Sequence, residues 1–175
     1  IHGGTGNDTI IGGLDNDRIY GEAGDNLLIF NDGDGNDIVY LGSGNDTLQF
    51  NDSKLSELEF YTDSQNLIIK YGTNRKNSVT IYDYFNDSVH HKSVKEIKYK
   101  NDAGEFETSN LRDYLNLNYV NITAAYNTVT NGTEFKDSIT CDDRGAKVYA
   151  NGGNDIITGG VGKDTIYGGA GDDTI

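Results

Sequence analysis

Aliphatic residues recur every nine positions at both ends of the chain, and six-residue polar, glycine-rich stretches separate them. In the first stretch the nine-residue frames are GGTGNDTII (3–11), GGLDNDRIY (12–20), GEAGDNLLI (21–29), DGDGNDIVY (32–40) and LGSGNDTLQ (41–49), with Phe30 and Asn31 inserted. The second runs GTEFKDSIT (132–140), CDDRGAKVY (141–149), ANGGNDIIT (150–158), GGVGKDTIY (159–167) and GGAGDDTI (168–175). Position eight holds Ile10, Ile19, Leu28, Val39 and Leu48, then Ile139, Val148, Ile157, Ile166 and Ile175. Self-similarity at a fixed period marks a repeat architecture. Six turn-forming residues followed by three β-formers predict alternating turns and short strands, two repeats to each coil of a parallel roll. The period of two sends position eight inward and positions seven and nine outward. Such a core is one side chain thick.

Between the blocks the pattern changes to strand-like alternation: LEFY (58–61), NLIIKY (66–71), SVTIYDYF (78–85) and SVKEIKYK (93–100), separated by TDSQ, GTNRKN and NDAG. These signals predict an antiparallel β meander. A short helix is expected over 110–116, capped by Thr108 or Ser109, with a further turn at 53–57. The fold class is therefore all-β, with two parallel β-roll blocks (1–49 and 132–175) flanking a mainly antiparallel segment (50–131) with one or two short helices.

Charge sharpens this division. Residues 1–49 carry nine acids and one base, 50–131 eleven and nine, and 132–175 eight and four; glycine divides 11, 2 and 10. A net charge of −14 argues against nucleic acid as a partner and favours cations. The single Cys141 excludes an internal disulfide. No transmembrane segment is visible. His90 and His91 read as a polar loop pair, and no HExxH, GxSxG or P-loop pattern occurs, so no enzyme is expected. The opening Ile-His, positions eight and nine of a repeat begun upstream, suggests an excerpt of a longer polypeptide.

Position six is Asp8, Asp17, Asn26, Asp37 and Asp46 in the first block, and Asp137, Ala146, Asp155, Asp164 and Asp173 in the second. Repeats two apart share an edge of the roll, so their carboxylates would repel without a counter-ion. Carboxylates with turn carbonyls make an all-oxygen shell, which suits Ca²⁺ better than octahedral, water-retaining Mg²⁺. Several Ca²⁺ ions are the expected cofactors. Without them, an acidic chain with so thin a core would not stay folded.

These nonapeptides resemble the GGxGxDxUx repeat of RTX proteins, which include haemolysin-type toxins, serralysin-type proteases and large adhesins. The resemblance implies calcium between successive turns on each edge, ligated by Asp8, Asp17, Asn26, Asp37, Asp46, Asp137, Asp155, Asp164 and Asp173. Backbone carbonyls of Gly4, Gly6, Gly13, Asp15, Gly24, Gly33, Gly35, Gly42 and Gly44 would join them in the first block. Those of Gly153, Gly160, Gly162, Gly169 and Gly171 would do so in the second. The implied edge pairs are Asp17 with Asp37, Asp8 with Asn26, Asn26 with Asp46, Asp137 with Asp155, Asp155 with Asp173, and Ala146 with Asp164. Pairs containing Asn26 should bind more weakly, and the Ala146 pair not at all unless Asp142 or Asp143 compensates. Asp15 and Glu22 replace turn glycines, so distortion is expected at Glu22 and a bulge at Phe30-Asn31.

The resemblance further implies a secreted, extracellular bacterial protein that meets the type I secretion machinery through its full-length parent, a toxin or adhesin associated with virulence. The middle segment, also similar to a region that accompanies such blocks, would cap the roll ends. The alternative is a ligand-binding or cell-surface-binding module of an adhesin or surface-layer protein, in which residues 50–131 recognise a host surface ligand through Tyr61, Tyr82, Tyr84 or Tyr99.

Overall fold

The computed structural model describes residues 1–63, 65–85 and 94–175; His90 and His91 lie outside the described residues. The first block forms strands β1 (Thr9–Ile11), β2 (Arg18–Glu22), β3 (Leu27–Phe30), β4 (Asn36–Leu41) and β5 (Asp46–Phe50). The middle segment adds β6 (Glu59–Thr62), β7 (Leu67–Tyr71), β8 (Asn77–Ile81), β9 (Val94–Lys100) and β10 (Phe106–Asn110). Helix α1 (Leu111–Leu117) follows, then β11 (Val120–Ala124) and β12 (Val129–Asn131). The chain ends with β13 (Asp137–Cys141), β14 (Lys147–Tyr149), β15 (Ile156–Thr158) and β16 (Thr165–Tyr167). It is an all-β solenoid of stacked parallel coils, divided into two compact units: residues 1–60 with 65–112, and 61–64 with 113–175.

In the first unit successive strands alternate between two faces. One face runs β1, β3, β5, β9, β10 and the other β7, β8, β4, β2. The rungs Ile10↔Leu28 and Leu28↔Leu48 on one face, and Ile19↔Val39 on the other, pair in parallel register. All five side chains are buried. Position eight fills the interior of every coil, and in the longer strands Phe30, Leu41 and Phe50 add a second inward residue two places on. Glu22 has a φ of 61°, and the β2/β4 register shifts between Tyr20 and Glu22, the distortion expected there. The inserted pair makes no bulge against β5. Phe30 continues the ladder opposite Phe50, and Asn51 Nδ2 donates to Asn31 Oδ1 at 2.9 Å, so the insertion is absorbed by the two residues following the last nonapeptide. Phe30, Phe50 and Tyr71 then pack ring against ring at centroid distances of 5.1 to 5.9 Å.

Parallel pairing extends beyond the repeats. β7 and β8 form an antiparallel hairpin, but β8 also pairs in parallel with β4, placing Val79 beside Asp37 and Ile81 beside Val39. β9 does not continue the meander. It pairs in parallel with β5, with Val94 beside Asp46 and Ile97 beside Leu48. Residues 74–82 thus form a half-coil in nonapeptide register with valine where the acid would be. The helix begins at Leu111, later than expected, because 106–110 pair with β9. Ser109 Oγ bonds the Tyr99 hydroxyl at 2.9 Å. Tyr84 and Tyr99 are buried, whereas Tyr82 is 46% exposed and packs one face on Tyr40 at 4.8 Å.

The second unit repeats the plan with β11, β13, β15 on one face and β12, β14, β16 on the other. Its core joins Ile122, Ile139, Val148 and Ile157, with Ile166 packed against it. Here too the parallel ladder begins before the first nonapeptide: Val120 stands beside Asp137 and Thr130 beside Val148.

Candidate metal centre

Each implied edge pair is joined by one hydrogen bond of the same kind. The backbone N–H of the earlier position-six residue donates to Oδ1 of the later one. Asp17 donates to Asp37 at 2.9 Å, Asp8 to Asn26 at 3.0 Å and Asn26 to Asp46 at 3.0 Å. Asp137 donates to Asp155 at 2.8 Å, Ala146 to Asp164 at 2.8 Å and Asp155 to Asp173 at 3.0 Å. Position five carries a second ladder of opposite sense, which sequence reasoning missed. Asn7, Asn16, Asp25 and Asn154 accept from Asp25, Asn36, Asn45 and Asp172 of the next coil. The recurring Asn/Asp at position five was its signal.

The second carboxylate oxygen is the telling one. Oδ2 of Asp8, Asp17, Asp37 and Asp155 is buried and has no hydrogen-bond partner. An ionised oxygen in such a place costs several kcal/mol unless a cation meets it. Burial pushes the Asp37 carboxyl up to about 6, against the opposing pull of the Asp17 N–H, and raises Asp155 as well.

The turn backbone is packed so closely that a side chain would displace it. A Cβ at Gly24 would lie 1.9 Å from the Gly6 carbonyl oxygen, at Gly44 2.0 Å from that of Gly24, and at Gly171 1.8 Å from that of Gly153. Non-glycine residues contribute carbonyls to the same stacks: those of Asp15, Glu22, Phe135 and Asn151 lie within 2.4 Å of the Cβ positions of Gly35, Gly42, Gly153 and Gly169. Glu22, Asn151 and Asp15 hold left-handed φ values of 61°, 75° and 75°, so turn geometry persists where glycine is replaced. Among the described residues no three His, Cys, Asp or Glu side chains converge. A cation in these turns would therefore draw most of its ligands from carbonyls, with carboxylate oxygens completing an all-oxygen shell of the kind calcium takes.

A family model of the RTX calcium-binding nonapeptide repeat matches residues 1–28, 29–48 and 147–175, in four copies. The chain carries RTX calcium-binding repeats. A comparison with curated proteins gives no match. Among solved structures the chain resembles the extracellular lipase LipA from Serratia marcescens, with 15% identity and a TM-score of 0.46. That likeness covers 89% of this chain and 26% of the lipase chain.

The RTX frame also departs from its pattern at Asn26, in the glycine-poor turn before Asp137 and at Ala146. Asn26 Nδ2 donates to the carbonyls of Gly21 and Gly24, both at 3.2 Å, so an amide occupies carbonyls that would otherwise face a cation. Asp137 is gripped by its own turn: Thr133 N donates to Oδ2 at 2.6 Å and Thr133 Oγ1 to Oδ1 at 2.9 Å. Burial still pushes this carboxyl up to about 7. Near Ala146, Asp142 is paired. Its carboxylate is held by Arg144 Nε and Nη2 at 2.9 and 3.0 Å, which keeps it down at about 2. Asp143 comes closer to the turn, with Oδ1 3.1 Å from the Cβ position of Gly160.

A pH dependence follows. Asp37 and Asp137 have carboxyl pKa values raised by folding without metal, so the metal-free fold is favoured below the unfolded value near 4 and loses that advantage as pH rises through 6 to 7. Calcium binding runs the other way, because protons compete for the same oxygens. Between pH 7.5 and 5.5 calcium should bind the already folded coils about fourfold more weakly at a site built on Asp37, and weaker still at one built on Asp137, whereas the folding midpoint, referred to unfolded carboxyls near 4, should hardly move. Calcium dissociation constants of the folded chain at the two pH values, measured by calorimetry, would check this, and equal constants would refute it.

Proposed function

We propose that this chain is a calcium-driven folding module of a larger secreted bacterial protein, stabilising and positioning that protein's functional part after export. The observation that carries the reading is the stack of buried carboxylate oxygens at Asp8, Asp17, Asp37 and Asp155 that have no protein partner. In this reading the position-six side chains of Asp8, Asp17, Asp37, Asp46, Asp137, Asp155, Asp164 and Asp173 supply carboxylates, Asn26 marks a weak site, and the turn carbonyls complete each shell. The ions hold adjacent coils together, and the role is structural, not catalytic. At submicromolar calcium the acidic turns repel and the chain stays extended, which suits passage through a type I exporter; at millimolar calcium outside the cell it folds. Residues 50–131 cap the blocks: the metal-free half-coil at 74–82 covers the first block's exposed strand edge, and Val120 and Thr130 do the same for the second. A sheet edge so covered is protected from pairing with another chain. The parent is a toxin or adhesin.

Far-UV circular dichroism tests the proposal. Excess EGTA should abolish the β signal, and calcium should restore it with a midpoint of about 10⁻⁴ to 10⁻³ M. A β spectrum insensitive to the chelator would overturn it.

A further inference from the structure

The second unit contains a cavity of about 310 Å³ whose charge opposes that of the rest of the chain. Residues 113–175 carry nine acids and four bases. Three of those four bases, Arg144, Lys147 and Lys163, line this one cavity, and no acid lines it. It lies where the carboxylate ladder is interrupted. Ala146 occupies position six, and the pairing of Val129 with Lys147 places Thr128 opposite it. Elsewhere the ladders gather negative charge for a metal; here Ala146 and Thr128 supply none, and the ladder carboxylate that remains is that of Asp164, whose Oδ1 accepts the Ala146 N–H at 2.8 Å.

The walls are partly organised in advance. The Arg144 guanidinium is tied to Asp142 by two hydrogen bonds and lies 4.9 Å from the Tyr126 ring centre. The Asp142 pair offsets Arg144, so the surplus positive charge belongs to Lys163 and to Lys147, whose ammonium lies 5.1 Å from the Tyr149 ring centre. Tyr126 and Val129 are 49% and 57% exposed, which gives the cavity an apolar wall facing water. Asn127 holds a left-handed φ of 55°, and Thr128 Oγ1 donates to the Ala125 carbonyl at 2.9 Å, which fixes the turn that forms the rim. A cleft of one charge sign concentrates counter-ions of the other, and the volume falls at the small end of the range for organic ligands.

We propose that this cavity binds a small organic oxyanion, a carboxylate or phosphate carried on a sugar-sized body. Lys147 and Lys163 meet the anion, Arg144 is the fixed donor, and Tyr126 with Asn127 and Thr128 receives the body. The proposal uses none of the carboxylates of the calcium stacks, and its failure would leave the folding role untouched.

The test uses the full chain in low salt with calcium in excess, titrated with glucuronate, glucose 6-phosphate, glucose and sulfate by calorimetry and by NMR. Glucuronate or glucose 6-phosphate, or both, should bind saturably at least about tenfold more tightly than glucose, the ion pair supplying about 1.4 kcal/mol or more. Binding of glucuronate alone would assign an acidic saccharide, and of glucose 6-phosphate alone a phosphorylated one. The double variant K147Q/K163Q should lose about tenfold in affinity while its calcium midpoint stays unchanged. If that variant does not fold, Y126A, altered at an exposed ring, should weaken the charged probes. Charged probes no tighter than glucose, sulfate matching both of them, or unchanged binding by the folded variant would overturn the proposal.

Discussion

Asp155→Ala should leave the second unit unfolded at calcium concentrations that saturate the native protein. Asp155 is shared by two edge pairs. Its Oδ1 accepts the Asp137 N–H at 2.8 Å, its own N–H donates to Asp173 Oδ1 at 3.0 Å, and its Oδ2 is buried without a partner. Alanine removes the acceptor and strands the buried Asp137 N–H, a loss of about 1 to 3 kcal/mol. It also removes a carboxylate from the proposed calcium shells on either side. Because binding and folding are coupled, the two losses fall on one equilibrium, and the calcium midpoint of this unit should rise by at least about tenfold. Asp155→Asn separates the terms. It keeps an oxygen for the Asp137 N–H and removes the charge, and the donors of Asn26 show where the new amide would point: at the turn carbonyls. Its midpoint should fall between native and alanine. A native midpoint for Asp155→Ala would show that carbonyls alone set the affinity.

The second large effect is expected at a residue with no chemistry. Gly44 has a φ of 143°, and a Cβ there would lie 2.0 Å from the Gly24 carbonyl oxygen. Flexible side-chain motion cannot relieve a clash with backbone, so adjacent coils must separate along the very stack of carbonyls that would face the ion. Gly44→Ala should destabilise the first unit by on the order of 4 kcal/mol or more and raise its calcium requirement. Gly104→Ala is the control. Its φ of 81° is equally left-handed, but nothing lies within 4 Å of the added atom, so its cost is backbone strain of about 1 to 2 kcal/mol. Urea unfolding in saturating calcium would compare the two. Equal costs would show that the close approach of the coils carries no weight.

What could be read from the residues was whatever repeats. Ile10, Leu28 and Leu48 announce the interior because strand geometry leaves position eight no other place, and the edge pairs follow from counting two repeats per coil. The count survived even the Phe30-Asn31 insertion, which lengthens the separation from 18 residues between Asp8 and Asn26 to 20 between Asn26 and Asp46. The continuation of the roll into 74–82 and 120–131 was hidden, because Val79, Val120 and Thr130 hold the register without the glycines or the acid that make a repeat visible. The same blindness covered Thr133 and Asn26 Nδ2, whose effect depends on what lies across the turn. The carbonyls of Glu22, Phe135 and Asn151 escaped notice because a carbonyl carries no side-chain signature.

The stacked rings on position nine have an optical consequence. Tyr20 and Tyr40 lie nearly parallel at 4.8 Å and Tyr149 and Tyr167 at 4.7 Å, while the chain has twelve tyrosines and no tryptophan. Rings held face to face at this distance couple electronically only while neighbouring coils remain in register. The near-ultraviolet spectrum of this protein is therefore an intrinsic gauge of coil registration in each unit, legible without any attached dye.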